Sequence, residues 1–417
     1  MMIDSREAKI SAMRVILRCN ELSKITCKEI GITRIYLSKE HLLANKLVGK
    51  WMQEAGMLVW QDAVGNICGR YDSYFKNAPA IMLGSHLDTV KNAGKYDGIL
   101  GVLTAIELVY WFNKKNIRFQ LAIEVIGFSD EEGTRFGITL LGSRGITGTW
   151  NEKWLSYTDN DGITMHQAMS DFGLKSNKIN DASRNIKDIV AYIELHIEQG
   201  PCLEKENLPL AVVTTINGTR RFNCKFIGEA GHAGTVPMRY RRDALVACAE
   251  WIIFIESNTR ENHPQLVSTV GYIDCDPGVI NVIPGVVNCS LDIRGPQDDM
   301  LESFASILLS EAKMIATRRN MIFNYKEYYR TYETLCDIAL QKILSSSIET
   351  VQGRSFFLSS GAGHDAIAIA ERWPVGMLFI RNYRGISHNP KESVNLEDII
   401  LSLQAYSDAI CKIVKKF

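Results

Sequence analysis

Apolar and polar positions in the first half of the chain predict helices and buried strands in turn. Three segments carry apolar residues at helical spacing, which is typical of helices with one buried face: 8–22, 42–55 and 99–113. Strand-length apolar runs lie at 80–84, 121–128 and 189–195, and a further strand is predicted over 62–70, close to a hairpin signal. Strands that alternate with amphipathic helices favour an α/β layer built on a largely parallel sheet.

The order of the predicted elements changes near residue 214, where Asn217-Gly218 gives a turn signal typical of a hinge. The segments that follow are predicted to be strand, helix, strand, strand, helix and strand: 221–227, 244–257, 265–273, 286–293, 300–317 and 321–328. The chain then returns to a helix, a strand and a final amphipathic helix: 335–349, 375–380 and 396–414. We therefore predict a main α/β domain in two parts, 1–213 and 330–417, interrupted by an α+β sandwich at 214–329.

Composition argues against some classes of partner. Lys+Arg and Asp+Glu both number 47, so the net charge is 47 − 47 = 0. That balance gives no electrostatic case for binding nucleic acid or a membrane surface. The first residues mix acidic and basic side chains, and we expect neither a signal peptide nor a membrane span. Ten cysteines are scattered without a CxxC pair, which predicts reduced residues in a cytoplasmic protein.

Histidine and carboxylate residues follow several of the predicted strands. His86 and Asp88, with Asp97 in a glycine-rich loop, come after the run at 80–84. Because the carboxyl ends of parallel strands meet at one edge of a sheet, these side chains are expected to converge with those that follow other strands. Those are Glu131 and Glu132 after 121–128, His196 at the end of 189–195, and His388 after 375–380.

The residue types in these segments indicate metal binding. Imidazole nitrogens and carboxylate oxygens are ligands that zinc prefers. A second metal would need a bridging carboxylate, which Asp97 is suitably isolated to provide, and Asp88 is placed to orient the His86 ring. Taken singly, a histidine after a strand is more often structural, and a pair of glutamates is more often a solvated turn. Four such segments, with three of the eight histidines, nevertheless predict a metal centre.

Seven motifs carry a family resemblance: GSHLDTV, KYDGILG, DEEGTRFG, HIEQGP, GHAGT, NVIPG and SGAGHDA. Together they resemble the hydantoinase/carbamoylase branch of the zinc-dependent M20 amidohydrolases, over about residues 65–388. The resemblance implies a zinc-hydrolase catalytic domain with an inserted domain that serves as a lid and for dimerisation. It also implies a homodimer formed through that inserted domain. The branch includes N-carbamoyl-L-amino-acid hydrolases, allantoate amidohydrolases and β-ureidopropionases.

The resemblance also implies roles for individual residues at the metal centre. His86 and His196 would hold one divalent ion, Glu132 and His388 the other, and Asp97 would bridge them. The ions are expected to be Zn²⁺, although the same ligands accept Mn²⁺, Co²⁺ or Ni²⁺. Glu131 would be the general base. Related peptidases carry a carboxylate where this chain has His196, so this position separates the two branches.

Residues that contact substrate are implied mainly in the inserted domain. His232 would contact the transition state, Arg294 would clamp a substrate carboxylate with its planar fork, and Asn281 would lie nearby. Gln199 is a further polar contact, and the glycine-rich segment 359–366, with Gly363, would let backbone approach a ligand closely. His364 and Asp365 in that segment could be another metal pair. A structural or substrate-loop role is preferred, because five ligands are already assigned.

The predicted substrate is a small ureido carboxylate, and the predicted reaction removes a carbamoyl group from an N-carbamoyl-L-amino acid. Allantoate-type members of the branch differ from this chain around Asp97 and after Glu132, so the resemblance favours this activity over allantoate hydrolysis, which is the main alternative. A β-ureidopropionase or an M20-type metallopeptidase is a weaker alternative. A non-enzymatic alternative is a binding or scaffold protein that keeps the fold without catalysis. The intact ligand residues argue against this hypothesis.

Overall fold

The computed structural model describes residues 2–27 and 30–416. It divides the chain into two compact units. The first unit contains the chain up to Thr214 and from Leu335 onwards, and the second contains Thr215–Thr334. Within the described residues, every helix is too short or too polar to cross a membrane.

The helices are numbered in chain order. They are α1 Ser5–Leu22, α2 Lys39–Glu54, α3 Ile99–Lys114, α4 Leu141–Thr147, α5 Met165–Phe172, α6 Cys202–Lys205, α7 Ala244–Asn262, α8 Asp298–Arg318, α9 Ile338–Gln352, α10 Ala366–Ile369 and α11 Leu396–Lys416. Side-chain caps mark several of their starts. Asp4, Ser38, Asp243 and Asp337, for example, accept backbone N–H groups at the first turns of α1, α2, α7 and α9.

The strands are numbered in the same way. They are β1 Leu58–Gln61, β2 Ile67–Tyr71, β3 Ala80–His86, β4 Ala122–Phe128, β5 Ile189–Ile197, β6 Leu210–Ile216, β7 Gly218–Ile227, β8 Gly231–His232, β9 Val267–Thr269, β10 Ile273–Asp276, β11 Val282–Ile283, β12 Val286–Gly295, β13 Ile322–Thr331, β14 Thr334–Leu335, β15 Phe357–Ser360 and β16 Val375–Ile380.

The main sheet of the first unit is parallel at its centre and antiparallel at its margins. Its order is β1-β2-β4-β3-β5-β16-β6-β14, with β15 beside β6. The pairs β3–β4, β3–β5 and β5–β16 are parallel. All residues of β3, β4 and β16 are buried, as expected of strands covered on both faces. The predicted α/β class with a largely parallel sheet is confirmed.

Helices α1, α3, α9 and α11 share one hydrophobic core with this sheet. Most residues of α3 are buried, including Glu107. Helix α3 starts directly after the loop that carries Asp97, so its packing holds that loop against the sheet edge. Helix α11 lies against both α1 and α9, which brings the two parts of the first unit together.

The second unit is a two-layer α+β sandwich, as predicted. Its antiparallel sheet has the order β10-β12-β7-β13, with β9 also paired to β12. Helices α7 and α8 pack on one face, around a core that includes Trp251, Phe226 and Phe304. On β12 buried and partly exposed residues alternate, which is typical of a sheet with one covered face. A small separate ladder joins β8 to β11.

Two predicted strands differ in the structure. The strand expected at 62–70 is instead a hairpin of β1 and β2, because the Asp62 carboxylate accepts the N–H groups of Val64 and Asn66 and closes a turn. The strand expected at 265–273 is divided into β9 and β10. Between them three residues, 270–272, face only two of β12, so one extra residue shifts the register and divides the strand.

Candidate metal centre

The five predicted ligands lie where the parallel strands of the first unit end. His86 is the last residue of β3, and His196 lies near the end of β5. Asp97 comes from the loop before α3, and Glu132 and His388 come from the loops after β4 and β16. In an open α/β sheet, this is the edge at which ligand-binding loops converge. The His388 side chain is 48% exposed, whereas His86, Asp97 and His196 are buried.

Asp97 lies between two groups of donor atoms. Its Oδ1 is 3.2 Å from Nε2 of His196 and 3.9 Å from Nε2 of His86. Its Oδ2 is 3.1 Å from Nε2 of His388, which is 3.3 Å from Oε1 of Glu132. Within each group, the three residues offer donor atoms within 4.8 Å of one another. The five residues therefore form two groups that share Asp97, and their role as metal ligands stays a prediction.

The hydrogen bonds of His86 and His196 explain why this centre suits a cation. Nδ1 of His86 is 3.1 Å from the Asp88 carbonyl oxygen, and Nδ1 of His196 is 2.9 Å from that of Ile197. A carbonyl only accepts, so each neutral ring carries its hydrogen on Nδ1 and turns an Nε2 lone pair inward. These two Nε2 atoms are 3.5 Å apart, beside the Asp97 carboxylate. A divalent cation satisfies all three groups together, so the residues fit a metal ion.

The titration properties of the same residues reflect an excess of negative charge. Burial raises the pKa of Asp97, but without a metal His196 and His388 carry protons, and their hydrogen bonds then outweigh burial and hold that pKa well below its usual range. Hydrogen bonds to Asp97 and Glu132 raise the pKa of His388 to about 10. Protons and metal ions compete for such donors, and a bound cation would neutralise the carboxylates.

The Asp88 carboxylate organises the loop that carries Glu131 and Glu132. It accepts the N–H groups of Asp130 and Glu131 on Oδ1, both at 3.0 Å, and that of Glu132 on Oδ2 at 3.1 Å. Asp130 has a φ of 90°, a conformation that a non-glycine residue keeps only when its surroundings hold it. Oδ1 of Asp88 lies 3.6 Å from Nδ1 of His86, farther than the Asp88 carbonyl. Asp88 thus connects the end of β3 to the loop after β4.

Glu131, the predicted general base, is nearly buried beside the donor groups. Burial, together with the charge of Glu132, raises the pKa of its carboxyl well above the usual range. A Cβ at Gly363 would lie 3.3 Å from Oε1 of Glu131, so glycine lets the backbone of that loop approach the carboxyl group. A carboxyl group with a raised pKa can accept a proton and return it near neutral pH.

Gln199, predicted to contact substrate, touches the predicted bridging ligand. Its Nε2 donates to the two carboxylate oxygens of Asp97 at 3.0 and 3.1 Å and lies 3.2 Å from the Ser387 hydroxyl. Its backbone has a φ of 58°, and its N–H is held by Oδ1 of Asn382 at 3.1 Å. The Oε1 atom of Gln199 is buried and accepts no hydrogen bond from the described protein residues. That oxygen is an acceptor that a bound polar group could use.

The sequence reasoning considered His364 as a metal ligand but did not place it with Glu194 behind His196. Glu194 accepts the Ser85 hydroxyl at 2.8 Å and forms a donor group with His196 and His364. Nε2 of His364 is 2.7 Å from the Ser360 hydroxyl. The period-two alternation of a strand places Glu194 on the same face as His196 and was a usable signal. No spacing in the sequence brings His364 to this strand, because that contact depends on the order of strands in the sheet.

His232 and Asn281 are neighbours within the second unit. His232 pairs with Val282 in the β8–β11 ladder, and the N–H of Ala233 donates to the Asn281 carbonyl at 2.9 Å. Nδ1 of His232 is 3.1 Å from the backbone N–H of Gly234 and accepts it. A neutral ring that accepts on Nδ1 carries its hydrogen on Nε2. The exposed His232 side chain therefore presents a hydrogen-bond donor.

Arg294 lies at the other end of the second unit's sheet, close to the end of β12. Its Nε is 3.0 Å from Oδ1 of Asp292, and its Nη2 is 3.4 Å from Oδ2. Nε of Arg221 is 2.7 Å from the same Oδ2. Asp292 therefore fixes the direction of the Arg294 guanidinium group, which is 34% exposed.

With this geometry in hand, comparison with known proteins defines the class. The model of peptidase family M20/M25/M40 matches residues 82–412, so the chain belongs to this family. The chain is 37% identical over 407 residues to an N-carbamoyl-L-amino-acid amidohydrolase from Pseudomonas sp. (strain NS671), a match that covers 97% of this chain and 98% of the relative.

Two further comparisons indicate how widely the similarity extends. A probable allantoate deiminase from Oryza sativa subsp. japonica is 36% identical over 419 residues, which cover 92% of this chain and 85% of the relative. The crystal structure of an amidase of the hydantoinase/carbamoylase family from Burkholderia multivorans superposes with a TM-score of 0.90 at 30% identity, covering 99% of this chain and 98% of that chain. The predicted family branch is confirmed.

Proposed function

We propose that this protein is a metal-dependent amidohydrolase that cleaves the carbamoyl C–N bond of N-carbamoyl-L-amino acids. One water is consumed in cleaving that bond, and the carbamic acid formed loses carbon dioxide as its remaining C–N bond breaks, so the final products are ammonia, carbon dioxide and the amino acid. The observation that carries the proposal is the pair of donor groups that share Asp97 beside the buried Glu131. The similarity to the Pseudomonas amidohydrolase, over nearly the full length of both chains, supports the substrate class.

The donor groups set which residues would hold metal. His86, Asp97 and His196 would bind one divalent ion, and Asp97, Glu132 and His388 would bind a second. When bound, such ions supply Lewis-acid polarisation of the substrate carbonyl and make water easier to deprotonate. Zn²⁺ suits this set of nitrogen and oxygen donors, and Mn²⁺, Co²⁺ or Ni²⁺ are further candidates.

Glu131 would move the protons of the reaction. Its carboxylate Oε atoms would take a proton from the attacking water and pass it to the departing nitrogen. The pKa raised by burial and by the charge of Glu132 favours this double role. Asp88 would keep Glu131 in place through the N–H groups of the loop.

Residues of the second unit would bind and polarise the substrate. The Nε2–H of His232 would donate to the carbonyl oxygen as negative charge develops on it. The planar fork of Arg294, oriented by Asp292, would bind the substrate carboxylate. Asn281, Gln199 and Gly363 would supply the remaining contacts.

A substrate panel tests this proposal. Purified protein, loaded separately with Zn²⁺ and Mn²⁺, is assayed for ammonia with N-carbamoyl-L-methionine, N-carbamoyl-β-alanine and allantoate, and for amine release with dipeptides. We expect the highest kcat/KM with N-carbamoyl-L-methionine. Turnover of dipeptides without any turnover of ureido acids would instead make the protein a metallopeptidase. The absence of both metal binding and turnover would favour a non-enzymatic role.

Allantoate amidohydrolase activity is the second candidate. It is favoured by the 36% identity to the probable allantoate deiminase from rice. Allantoate also combines ureido groups with a carboxylate, so Arg294 and the metal centre would serve it equally well. A kcat/KM for allantoate above that for N-carbamoyl-L-methionine would select this activity, and a preference for N-carbamoyl-β-alanine would indicate a β-ureidopropionase.

A homodimer formed through the second unit is part of the proposal. It is supported by β13, an edge strand of ten residues that exposes Tyr325, Tyr328 and Tyr329, since exposed edges are sites of strand addition. Mixing Glu131→Gln with His232→Ala protein tests both the dimer and the origin of His232. If the partner subunit supplies His232, hybrid dimers contain one intact site and regain activity. If His232 acts within its own chain, the mixture stays as inactive as its components.

A cytoplasmic location is the final part of the proposal. All ten cysteines are free thiols in the structure. Free thiols without disulfides are typical of proteins from reducing compartments. Fractionation of cells that express the tagged chain would test this directly.

A further inference from the structure

A buried carboxylate that the proposed reaction does not use lies against the Asp97 loop. Glu392, in the loop between β16 and α11, is only 3% exposed. Its Oε1 accepts the backbone N–H groups of Tyr96 at 2.7 Å and of Asp97 at 3.1 Å. Gly94 also faces the Glu392 side chain so closely that no Cβ would fit there. Glu392 therefore holds the backbone at the predicted bridging ligand directly.

The other oxygen of Glu392 connects this loop to the one that carries His388. The Ser387 hydroxyl lies 3.0 Å from Oε2 of Glu392 and 3.1 Å from Oδ2 of Asp97. One hydroxyl hydrogen between two carboxylates donates to one of them at a time and keeps them at a set spacing. Ser387 directly precedes His388, whose Nε2 is 3.1 Å from the same Asp97 oxygen. Two loops that lie 295 residues apart in the chain are thus joined at Glu392.

The partners of Glu392 indicate a role in geometry rather than in overall stability. Each hydrogen bond to its carboxylate oxygens comes from one of these two loops: Tyr96, Asp97 and Ser387. Taking a carboxylate out of water costs free energy that such bonds only partly offset. A neutral side chain of similar size would fill the same space at lower cost. The Glu392 side chain is therefore best explained by the hydrogen bonds through which it holds the backbone at Asp97.

We infer that Glu392 is a positioning residue of the metal centre. It fixes Asp97 at the distance from His388 at which both side chains bind the same ion. The inference rests on the proposed metal-dependent function, and it adds that affinity at the group of Asp97, Glu132 and His388 is set from outside that group. Partners behind metal ligands typically change metal affinity by roughly 10- to 100-fold when they are removed.

Titration of the metal-free, full-length protein with Co²⁺ tests the inference. Calorimetry gives the affinity of each binding step, and the visible absorption of Co²⁺ reports its ligand geometry. We expect two steps in the wild type, and His388→Ala identifies the step that belongs to its group. In Glu392→Gln that step should weaken roughly 10- to 100-fold with an altered spectrum, and the other step should stay. Ser387→Ala should weaken the same step less, because it removes one hydroxyl contact and leaves the Glu392 carboxyl group with both backbone N–H donors.

Glu107→Gln is the matched control, because Glu107 is a fully buried carboxylate that pairs with Arg14 at 2.6 Å in the helical core. It should leave both Co²⁺ steps unchanged, and urea unfolding of each variant shows whether it is folded. Unchanged Co²⁺ binding in Glu392→Gln would overturn the inference, as would an equal loss in Glu107→Gln. If Glu392→Gln does not fold, an unaltered step in Ser387→Ala overturns it. A wild type that binds no Co²⁺ overturns the proposed function itself, and no variant is needed to see that result.

Discussion

The two units prepare their polar residues in different ways. In the first unit, buried hydrogen bonds from neighbouring loops hold Asp97 and Glu131 in place. In the second unit, His232 is exposed and bonds to a backbone N–H two residues away, and Arg294 is paired with Asp292 two residues before it. Several ligand side chains must be held close together to bind a metal ion, whereas a single hydrogen-bond donor can contact a substrate without such support. Substitutions at the metal centre of the first unit should therefore abolish turnover, whereas substitutions in the second unit should reduce it only partly.

Metal removal should produce the largest effect, because it disables the whole first-unit centre at once. Dialysis against a chelator should abolish ammonia release from N-carbamoyl-L-methionine, and Zn²⁺ or Mn²⁺ should restore it. Elemental analysis should find about two ions per chain, as the two donor groups predict. His232→Ala should keep that metal content while its activity falls. Full turnover by protein that analysis shows to be metal-free would remove the basis of the comparison.

Glu131→Gln should produce the next largest effect. Loss of a general base typically lowers kcat by roughly 10²- to 10⁴-fold. Glu131 also forms a donor group with His86 and Glu132, but the two groups that share Asp97 stay complete without it, so the fall should appear in kcat with little change in metal content. Glu132→Gln is the control, and it should lose metal instead. Turnover that survives in Glu131→Gln would show that another group accepts the proton.

Arg294→Ala should produce a graded effect that separates the second unit from the first. Losing a charge-assisted contact should raise KM for N-carbamoyl amino acids by about 10- to 100-fold, with a smaller change in kcat. Substrate amides that lack the carboxylate should be hydrolysed equally by the variant and the wild type. Arg221→Ala, which removes the other arginine on Asp292, should have a weaker effect. An equal loss with the amides would contradict the clamp role.

His41 should contribute to the pH dependence of stability. Of the changes considered, a substitution there should alter turnover near neutral pH the least. His41 is buried against Phe172, accepts the Leu37 N–H on Nδ1 and reaches the Gly65 carbonyl with Nε2. Burial lowers its pKa to about 4 from 6.5, so between these values the unfolded chain binds the proton more strongly. Stability should then rise between pH 4 and 6.5 and fall by about 3 kcal/mol on acidification through that window.

Urea unfolding of the wild type and His41→Gln, at fixed metal concentration, measures this contribution. The variant should be less stable near neutral pH because it loses a fitted ring, but its free energy of unfolding should change less between pH 4 and 6.5. Parallel pH profiles for the two proteins would show that His41 takes up no proton on unfolding.

Much of the first unit could be predicted because its strands are buried on both faces. Continuous apolar runs at 80–84 and 121–128 became β3 and β4. Ligand-type residues directly after such strands could be placed at one sheet edge without any knowledge of the strand order. The hydrogen bonds of Asp88 could not be read in the same way. Its carboxylate accepts three backbone N–H groups. Since nearly every residue has a backbone N–H, the sequence does not show which of them bond to Asp88.

The contacts of Gln199 and Glu392 could not be predicted for a related reason. Gln199 reaches Asp97 because its backbone adopts a φ of 58°, which the segment HIEQGP does not reveal. Glu392 lies in a polar loop, where a charged residue is ordinarily solvated. In the second unit, the division of 265–273 into β9 and β10 comes from a register shift of one residue against β12. Hydrophobic periodicity predicts the length of a helix or strand and which of its faces is buried. It does not predict individual hydrogen bonds between residues that are distant in the sequence.

The position of β16 has a consequence for how the protein is made. This strand lies between β5 and β6 in the sheet, yet the whole second unit separates it from both along the chain. On the ribosome, His86, Asp97, Glu132 and His196 emerge long before β16 and His388. The position between β5 and β6 stays empty until translation has passed residue 380. We therefore expect the complete two-group centre to take up metal only at the end of synthesis.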